Sequence, residues 1–151
     1  MRTLTTPKTF DCRICSAALK SQRDLDTHMF LRHDECAAAR LYQLAGAATL
    51  PYRDVEGGQH VATEWRKLEK KNISEFTPAE RKEAAKDFAI HAWLSNWDAA
   101  GMGGDNQGVL DGKTTTLDVG GSLRFRAQGG PKGNAFGDKV IEWDSRSESV
   151  V

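Results

Sequence analysis

The sequence predicts an α+β fold in which short β-hairpins alternate with helices. Two cysteines and two histidines cluster near the N-terminus, runs of strong helix formers follow them, and eleven of the 14 glycines lie between residues 101 and 137. The first pattern is typical of a small metal-stabilised unit, the second of helices and the third of hairpin turns and loops. With 151 residues, the chain has room for such a unit and one further small domain.

The N-terminal unit is defined by the spacing Cys12-x2-Cys15-x12-His28-x4-His33. Zn²⁺ prefers four tetrahedral nitrogen and sulfur ligands, and a structural site closes all four positions with protein side chains. Two cysteines at this separation suit a tight turn, and two histidines five residues apart suit one end of a helix. A unit this small cannot bury enough apolar surface to fold alone, so metal binding would supply its folding free energy.

The same residues resemble a C2H2 zinc finger. Phe10, Leu19 and Leu25 stand where that family keeps its small apolar core, so residues 8–33 resemble one complete finger. The resemblance implies a ββα fold around a structural zinc ion held by the two cysteines and two histidines. We therefore expect residues 1–34 to form a finger domain.

The sequence leaves the partner of the finger open. In C2H2 fingers, base-reading side chains lie just before and along the first turns of the helix. Counting back from the first histidine, these positions hold Ser21, Arg23, Asp24 and Thr27. Arg23 alone is well suited to reading guanine, and one finger covers only about 3 base pairs. Residues 1–34 carry six basic and four acidic side chains, a weak footprint for phosphate binding, so a protein contact or a purely structural role is as well supported as nucleic-acid binding.

A helix and a hairpin should follow the finger. Residues 35–45 are rich in strong helix formers and stop at Gly46, a typical residue after a helix C-terminus. Asp34 could cap this helix, or the helix of the finger could run straight into it. Residues 50–65 then predict two short strands around a Glu-Gly-Gly turn.

A second helix and a second hairpin come next. Thr77 is a predicted N-cap, because proline occupies the first turn and glutamate stands three residues on, and the helix should run to about Asn96. The residues it should bury are Ala84, Phe88, Ala92 and Trp93. Residues 108–110 and 115–119 are then predicted to pair as strands around an Asp-Gly turn.

Polar residues around this second helix and hairpin form the pattern that phosphoryl transfer needs. Such chemistry uses one carboxylate at the acceptor hydroxyl, and an Asn and an Asp that hold Mg²⁺ on the phosphates. Here Asn-Trp-Asp ends at Asp98, Asn106 begins a strand, and Asp118 opens the run Asp-Val-Gly-Gly-Ser-Leu-Arg-Phe-Arg. With these runs, residues 35–145 resemble the kinase-like superfamily that includes the HipA and phosphatidylinositol 4-kinase groups, and look most like segments of phage-encoded and actinobacterial proteins.

The resemblance implies a role for each of these residues. Asp98 would be the catalytic base, and Asn106 and Asp118 would hold Mg-ATP, with Asp105 as a rival to Asn106. Glu35 would be the helix glutamate that pairs with a nucleotide-binding lysine. The family places that lysine and a glycine-rich strand upstream of the helix, where this chain has its finger. The resemblance also implies a helical C-terminal lobe that the chain would lack.

The predicted function is therefore a zinc-finger module that binds protein or nucleic acid and carries an incomplete, inactive kinase-like domain. A minimal Mg-ATP-dependent phosphotransferase is the alternative. The glycine-rich loop at 129–137 could cradle phosphate with Lys132. Plainer interpretations exist for other residues: Arg124 and Arg126 as the solvated face of a strand, and His91 as a hydrogen-bonded core histidine.

Composition argues against several other classes of protein. The chain has 21 basic and 21 acidic side chains, and residues 35–151 hold 15 basic and 17 acidic ones, which argues against a second nucleic-acid surface. No apolar run approaches the ~20 residues that cross a bilayer, and the N-terminus lacks the apolar core of a signal peptide. Cys36 has no disulfide partner once two cysteines bind zinc, so we expect the reducing cytoplasm of a bacterial or phage-infected cell. The tail at 146–151 should be flexible.

Overall fold

A computed structural model describes residues 10–12, 15, 17–56 and 60–140, with the backbone alone at 31 and 32. Within these residues the fold is mixed α+β, with three two-stranded antiparallel sheets and short helices, as the sequence predicts. The predictions for the first nine residues and for the tail at 146–151 lie outside the described part of the chain.

The N-terminal part has the order strand, strand, helix. Strand β1 (Phe10–Asp11) pairs with β2 (Ala18–Leu19), and helix α1 (Gln22–His28) follows directly. Ser21 is the N-cap of α1, because its hydroxyl accepts a hydrogen bond from the amide of Asp24 at 3.1 Å. Such a cap satisfies one of the amides that the first helical turn leaves without a partner.

The helix does not end at His28. A π-helical stretch, here called the π segment (Met29–Glu35), and helix α2 (Cys36–Leu44) continue it without interruption. Of the two predicted possibilities, the continuous helix is confirmed, and Asp34 lies inside it instead of capping a new one. The helix then ends at Gly46, whose φ of 87° is the left-handed conformation expected after a helix C-terminus.

The second hairpin follows the predicted course. Strand β3 (Tyr52–Val55) pairs antiparallel with β4 (His60–Thr63); the Gly-Gly of its turn lies outside the described residues. The hydroxyl of Tyr52 donates to the main-chain carbonyl of Leu117 at 2.6 Å, which ties this hairpin to the later part of the chain. A 3₁₀ turn (Ile73–Glu75) leads into the next helix.

The helix predicted to run from Thr77 to Asn96 is two helices, so its predicted length was wrong. Helix α3 (Pro78–Ala85) begins with the predicted capping box, and a turn separates it from α4 (Phe88–Trp93). Helix α3 has no buried residue, whereas α4 buries His91 and Ala92, so the turn redirects a surface helix into the core.

Burial along these two helices matches the prediction in part. Ala92 is buried, and Ala84 and Phe88 are half-buried. Trp93, predicted to be buried, is 58% exposed. The interruption before α4 changes which side of that helix faces the core, and a pattern based on one straight helix cannot anticipate this change.

The third hairpin has the predicted turn. Strand β5 (Gln107–Leu110) pairs with β6 (Lys113–Thr116), and the turn residues Asp111 and Gly112 have φ values of 50° and 72°. Positive φ at both positions is the type I′ geometry that joins two-residue hairpins. Because pairing starts directly after this turn, β6 occupies 113–116 instead of the predicted 115–119. A 3₁₀ turn (Gly133–Ala135) is the last element in the described part of the chain.

The core lies where α2 meets the residues after α4 and β6. Its members are Ala38, Ala39, Tyr42, Ala47, Leu94 and Val119. The hydroxyl of Tyr42 accepts a hydrogen bond from the Asn96 amide at 3.0 Å and lies 2.7 Å from Nδ1 of His91. Nε2 of His91 lies 3.2 Å from the side-chain nitrogen of Gln107. The prediction of a hydrogen-bonded core histidine is confirmed, and this network satisfies polar groups that burial would otherwise penalise. No helix in the described residues is long and apolar enough to cross a membrane.

Candidate metal centre

The four predicted ligand residues lie together. One ligand atom from each of Cys12, Cys15, His28 and His33 falls within 4.8 Å of all the others. Nε2 of His28 lies 3.2 Å from Sγ of Cys15 and 3.2 Å from Nε2 of His33. Sγ of Cys12 lies 3.4 Å from Nε2 of His33. Tetrahedral zinc bonds of about 2.0–2.3 Å place neighbouring ligand atoms roughly 3.3–3.8 Å apart, so this Cys2His2 cluster could hold a metal ion.

The first hairpin supplies the two thiols. The amide of Cys12 donates to the carbonyl of Ala17 at 2.9 Å, which closes the turn that contains Cys15. Cys12 is 1% exposed and His28 is fully buried, so two of the four residues are shielded from water.

The π segment explains the spacing of the two histidines. In an α-helix, residues three or four apart share a face, whereas residues five apart point in clearly different directions. A π-helix bonds residue i to i+5 and brings residues five apart onto one face. His28 and His33 are five apart, and their rings lie edge to face with centroids 5.0 Å apart. The extra residue between the histidines is therefore accommodated by a wider helical turn (Met29–Glu35).

An ion pair whose carboxylate is buried lies directly beside this cluster. Asp34 follows His33 in the chain, is 2% exposed, and accepts two hydrogen bonds from Arg124, from Nε at 3.0 Å and from Nη2 at 2.9 Å. The prediction that Arg124 and Arg126 form the solvated face of a strand was wrong about the strand, because neither residue lies in one. Arg126 is exposed, and the Arg124 side chain is partly exposed. The guanidinium of Arg126 lies over the ring of Trp97, 5.2 Å from its centroid.

The predicted base-reading positions are not all open to a partner. The hydroxyl of Ser21 is already used as the N-cap. Arg23 is exposed, but together with Thr27 and Phe30 it lines a cleft whose opposite wall is the chain's own Gln128 and Gly129. Sequence spacing could not reveal this wall, which stands about a hundred residues later in the chain.

The residues of the phosphotransfer prediction gather near the third hairpin. The amide of Asn106 donates to the main-chain carbonyl of Asp98 at 2.6 Å, and Oδ1 of Asp118 accepts from the amide of Gly120 at 2.7 Å. A Cβ atom added at Gly120 would lie 3.0 Å from that carboxylate oxygen, and one added at Gly121 would lie 3.2 Å from Cβ of Asp98. The two glycines thus let this turn approach both aspartates closely.

Glu35 lies beside Asp118 at the end of the π segment. Burial, and then the negative charge of Asp118, raise the pKa of Glu35 to about 7. Burial and the same two carboxylates also raise the pKa of Tyr52. No lysine or arginine forms an ion pair with Glu35 among the residues that the structure describes. Asp105, the rival of Asn106, is exposed and packs beside Gly101.

Within the described ranges, carboxylates, thiols and imidazoles converge in groups of three or more only at the Cys2His2 cluster. Glu35, Asp98 and Asp118 therefore do not form a preassembled three-carboxylate cation site. Their grouping is looser, with main-chain amides and glycines between the side chains.

Lys132 is not available to cradle phosphate, so that prediction was wrong. It is 4% exposed, and its ammonium group donates to the main-chain carbonyls of Ser95, Gly121 and Leu123, the last two at 2.8 Å. Nζ also lies 4.9 Å from the ring centroid of Trp97. A lysine in a glycine-rich loop looks exposed in the sequence; here it fastens that loop to the segment after α4.

Comparison of the chain with protein-family models, with curated protein sequences and with solved structures found no significant match. Function must therefore be argued from the geometry of the site.

Proposed function

We propose that this protein is a zinc-binding module in which Cys12, Cys15, His28 and His33 hold one structural Zn²⁺. The observation that supports the proposal is the approach of the four donor atoms to within 4.8 Å of one another. Two thiolates and two neutral imidazoles form a soft, tetrahedral donor set that favours zinc over magnesium or calcium. When bound, the ion stabilises the fold of the hairpin and helix and leaves no open position for catalysis.

Elemental analysis tests the metal directly. We expect one zinc per chain, loss of zinc in Cys12→Ser, and retention in Cys36→Ser. Cys36 is a matched control because it is the third cysteine and stands outside the cluster. The proposal would be contradicted if the wild type lacks stoichiometric zinc, or if the two variants have equal zinc contents.

We further propose that the module binds a partner, protein or nucleic acid, through the exposed side of α1. Arg23 supports a nucleic acid as the partner, because it is an exposed arginine at a base-reading position. Binding to a random-sequence DNA duplex should then weaken steeply with salt and weaken further in Arg23→Ala. Arg40→Ala is the matched control, since Arg40 is an exposed arginine on α2 of the same continuous helix. Equal affinities for both variants would leave a protein as the partner.

The remainder of the chain we interpret as a kinase-like segment without phosphotransferase activity of its own. The absence of a cation beside Glu35, within the described residues, supports this. In such folds that glutamate positions the nucleotide-binding lysine. The amide of Asn106 is also engaged by the main chain of Asp98.

One observation favours the alternative, a minimal Mg-ATP-dependent phosphotransferase. Asp98, Asn106 and Asp118 come from separate parts of the chain and meet around the turn at Gly120 and Gly121. If they bind Mg-ATP, millimolar nucleotide should raise the melting temperature by mass action, and Asp118→Ala should abolish the rise. No shift in either protein would rule the alternative out.

A further inference from the structure

Contacts from outside the finger hold the helix that carries both histidines. The bidentate pair between Asp34 and Arg124 joins residues 90 positions apart, and the carboxylate is 2% exposed. A guanidinium that donates two parallel hydrogen bonds fixes the orientation of the carboxylate as well as its position. Asp34 therefore holds the π segment at the residue next to His33.

A second contact reinforces the first, one turn earlier on the same helix. The ring of Phe30 lies 5.6 Å from that of Phe125 at 55°, a tilted aromatic packing. The backbone of Gly129 lies next to Phe30, where an added Cβ would make an ordinary van der Waals contact with the ring at 3.5 Å. Gly129 has a φ of 78°, which favours glycine at this point.

From these two contacts we infer that residues 124–129, here called the support segment, are an outer part of the metal centre. Asp34 and Arg124 act as positioning residues: they hold the π segment in the register that keeps Nε2 of His33 3.2 Å from Nε2 of His28. The metal affinity of the four ligands then depends on residues far from the finger. This inference rests on the proposed function, since it presupposes that the cluster binds metal.

The coupling must act in both directions. If the support segment raises the affinity for metal, metal binding stabilises the docked support segment by the same factor. Residues 124–132 are held in shape by three internal hydrogen bonds, in which the amides of Arg126, Gly129 and Lys132 donate to the carbonyls of Gly130, Arg126 and Arg124. If docking stabilises this shape, the hydrogen exchange of these amides slows when the segment docks.

Titration with Co²⁺ tests whether the support segment raises the metal affinity. The full chain is titrated, and binding is followed by the visible absorption of tetrahedral cobalt. Asp34→Asn and Arg124→Ala should each weaken Co²⁺ binding by roughly tenfold, the lower end of what outer ligand supports contribute. The variant with both changes should bind Co²⁺ no more weakly than the weaker of the two single variants, because the two changes remove the same ion pair. Arg124→Lys keeps the positive charge but cannot donate two parallel hydrogen bonds to the carboxylate. Its Co²⁺ affinity should lie between those of Arg124→Ala and the wild type.

Arg66→Ala is the matched control, because Arg66 also pairs with an aspartate, Asp111, but is exposed and lies outside the support segment. It should leave Co²⁺ affinity unchanged. Asp34→Asn nearly preserves shape, so it keeps the test valid if Arg124→Ala fails to fold. Wild-type affinity in Asp34→Asn and Arg124→Ala would overturn the inference, whereas no Co²⁺ binding by the wild type would instead overturn the proposed function.

Hydrogen exchange tests whether bound metal stabilises the support segment. Removing metal from the wild type should speed exchange of the amides of Arg126, Gly129 and Lys132. The amide of Leu117, which donates to Asn106 beside the third hairpin, should be much less affected. If chelation removes the metal and the three amides exchange as before, the support segment is independent of the metal centre and the inference fails.

Discussion

Lys132 is the residue whose substitution should reveal most about the glycine-rich loop. It is buried, and three main-chain carbonyls accept from its ammonium group. Lys132→Met keeps the length of the side chain but leaves these acceptors without donors, so we expect a loss of about 2–4 kcal/mol. Urea unfolding should show this loss, whereas Lys139→Met, at an exposed position, should lie within about 0.5 kcal/mol of the wild type.

Thr77 should contribute a smaller amount. Its hydroxyl accepts from the amide of Glu80, and the Glu80 carboxylate accepts from the amide of Thr77. Thr77→Ala removes half of this capping box and should cost about 1 kcal/mol. Thr63→Ala, at an exposed strand position, is the control, and equal unfolding midpoints for the two variants would contradict the prediction.

Single residues differ in how far the sequence could predict them. The clustering of Cys12, Cys15, His28 and His33 was predictable, because metal coordination dictates both residue type and spacing. Lys132 and Arg124 were not, since their partners are main-chain carbonyls and a carboxylate brought near only by the completed fold. Nothing local distinguishes these two from solvated side chains.

At the scale of elements, the π segment can be tested by changing its length. Deleting Leu31 would leave the histidines four residues apart, a spacing that a regular α-helix places on one face. The metal ligands should still converge, so the Co²⁺ spectrum should keep its tetrahedral form. Because the π segment already absorbs one extra residue, the residues after the second histidine should keep nearly the same phase, and Tyr42 should remain in the core.

We therefore expect the Leu31 deletion to bind metal and to melt close to the wild type. Deletion of Arg40, an exposed residue of the regular helix α2, is the contrasting variant: it should rotate Tyr42 by about 100° and lower the melting temperature. A Leu31 deletion that melts as far below the wild type as the Arg40 deletion would show that the π segment (Met29–Glu35) does more than absorb one extra residue.

Turns were the most predictable elements and helix lengths the least. The Asp111-Gly112 turn and the cap at Thr77 depend on chemistry within four residues, and both were confirmed. The turn between α3 and α4 depends on which helix reaches the core, and the sequence around Asp87 contains neither proline nor glycine to mark it. Tertiary packing decided that boundary.

Across the whole molecule, the continuous helix from Gln22 to Leu44 joins the metal centre to the core. Its first turn carries the N-cap, its middle carries His28, His33 and Asp34, and its end buries Tyr42. A finger with a flexible linker would lose its own fold without metal and leave the neighbouring domain unaffected. Here both parts share one helix and the ion pair between Asp34 and Arg124.

Metal removal should therefore destabilise more than the finger. With excess chelator at pH 7.5, we expect the melting temperature of the whole chain to fall, with amides around α2 exchanging faster as well as those around α1, because a bound ion stabilises every part that unfolds with its site. Lowering the pH without chelator should act in the same direction: thiols and imidazoles must lose protons to bind metal, so affinity falls as pH drops. Differential scanning calorimetry with and without zinc measures this coupling. A chelator that unfolds α1 while α2 melts at the wild-type temperature would show two independent units, and the shared helix would then be only a connection between them.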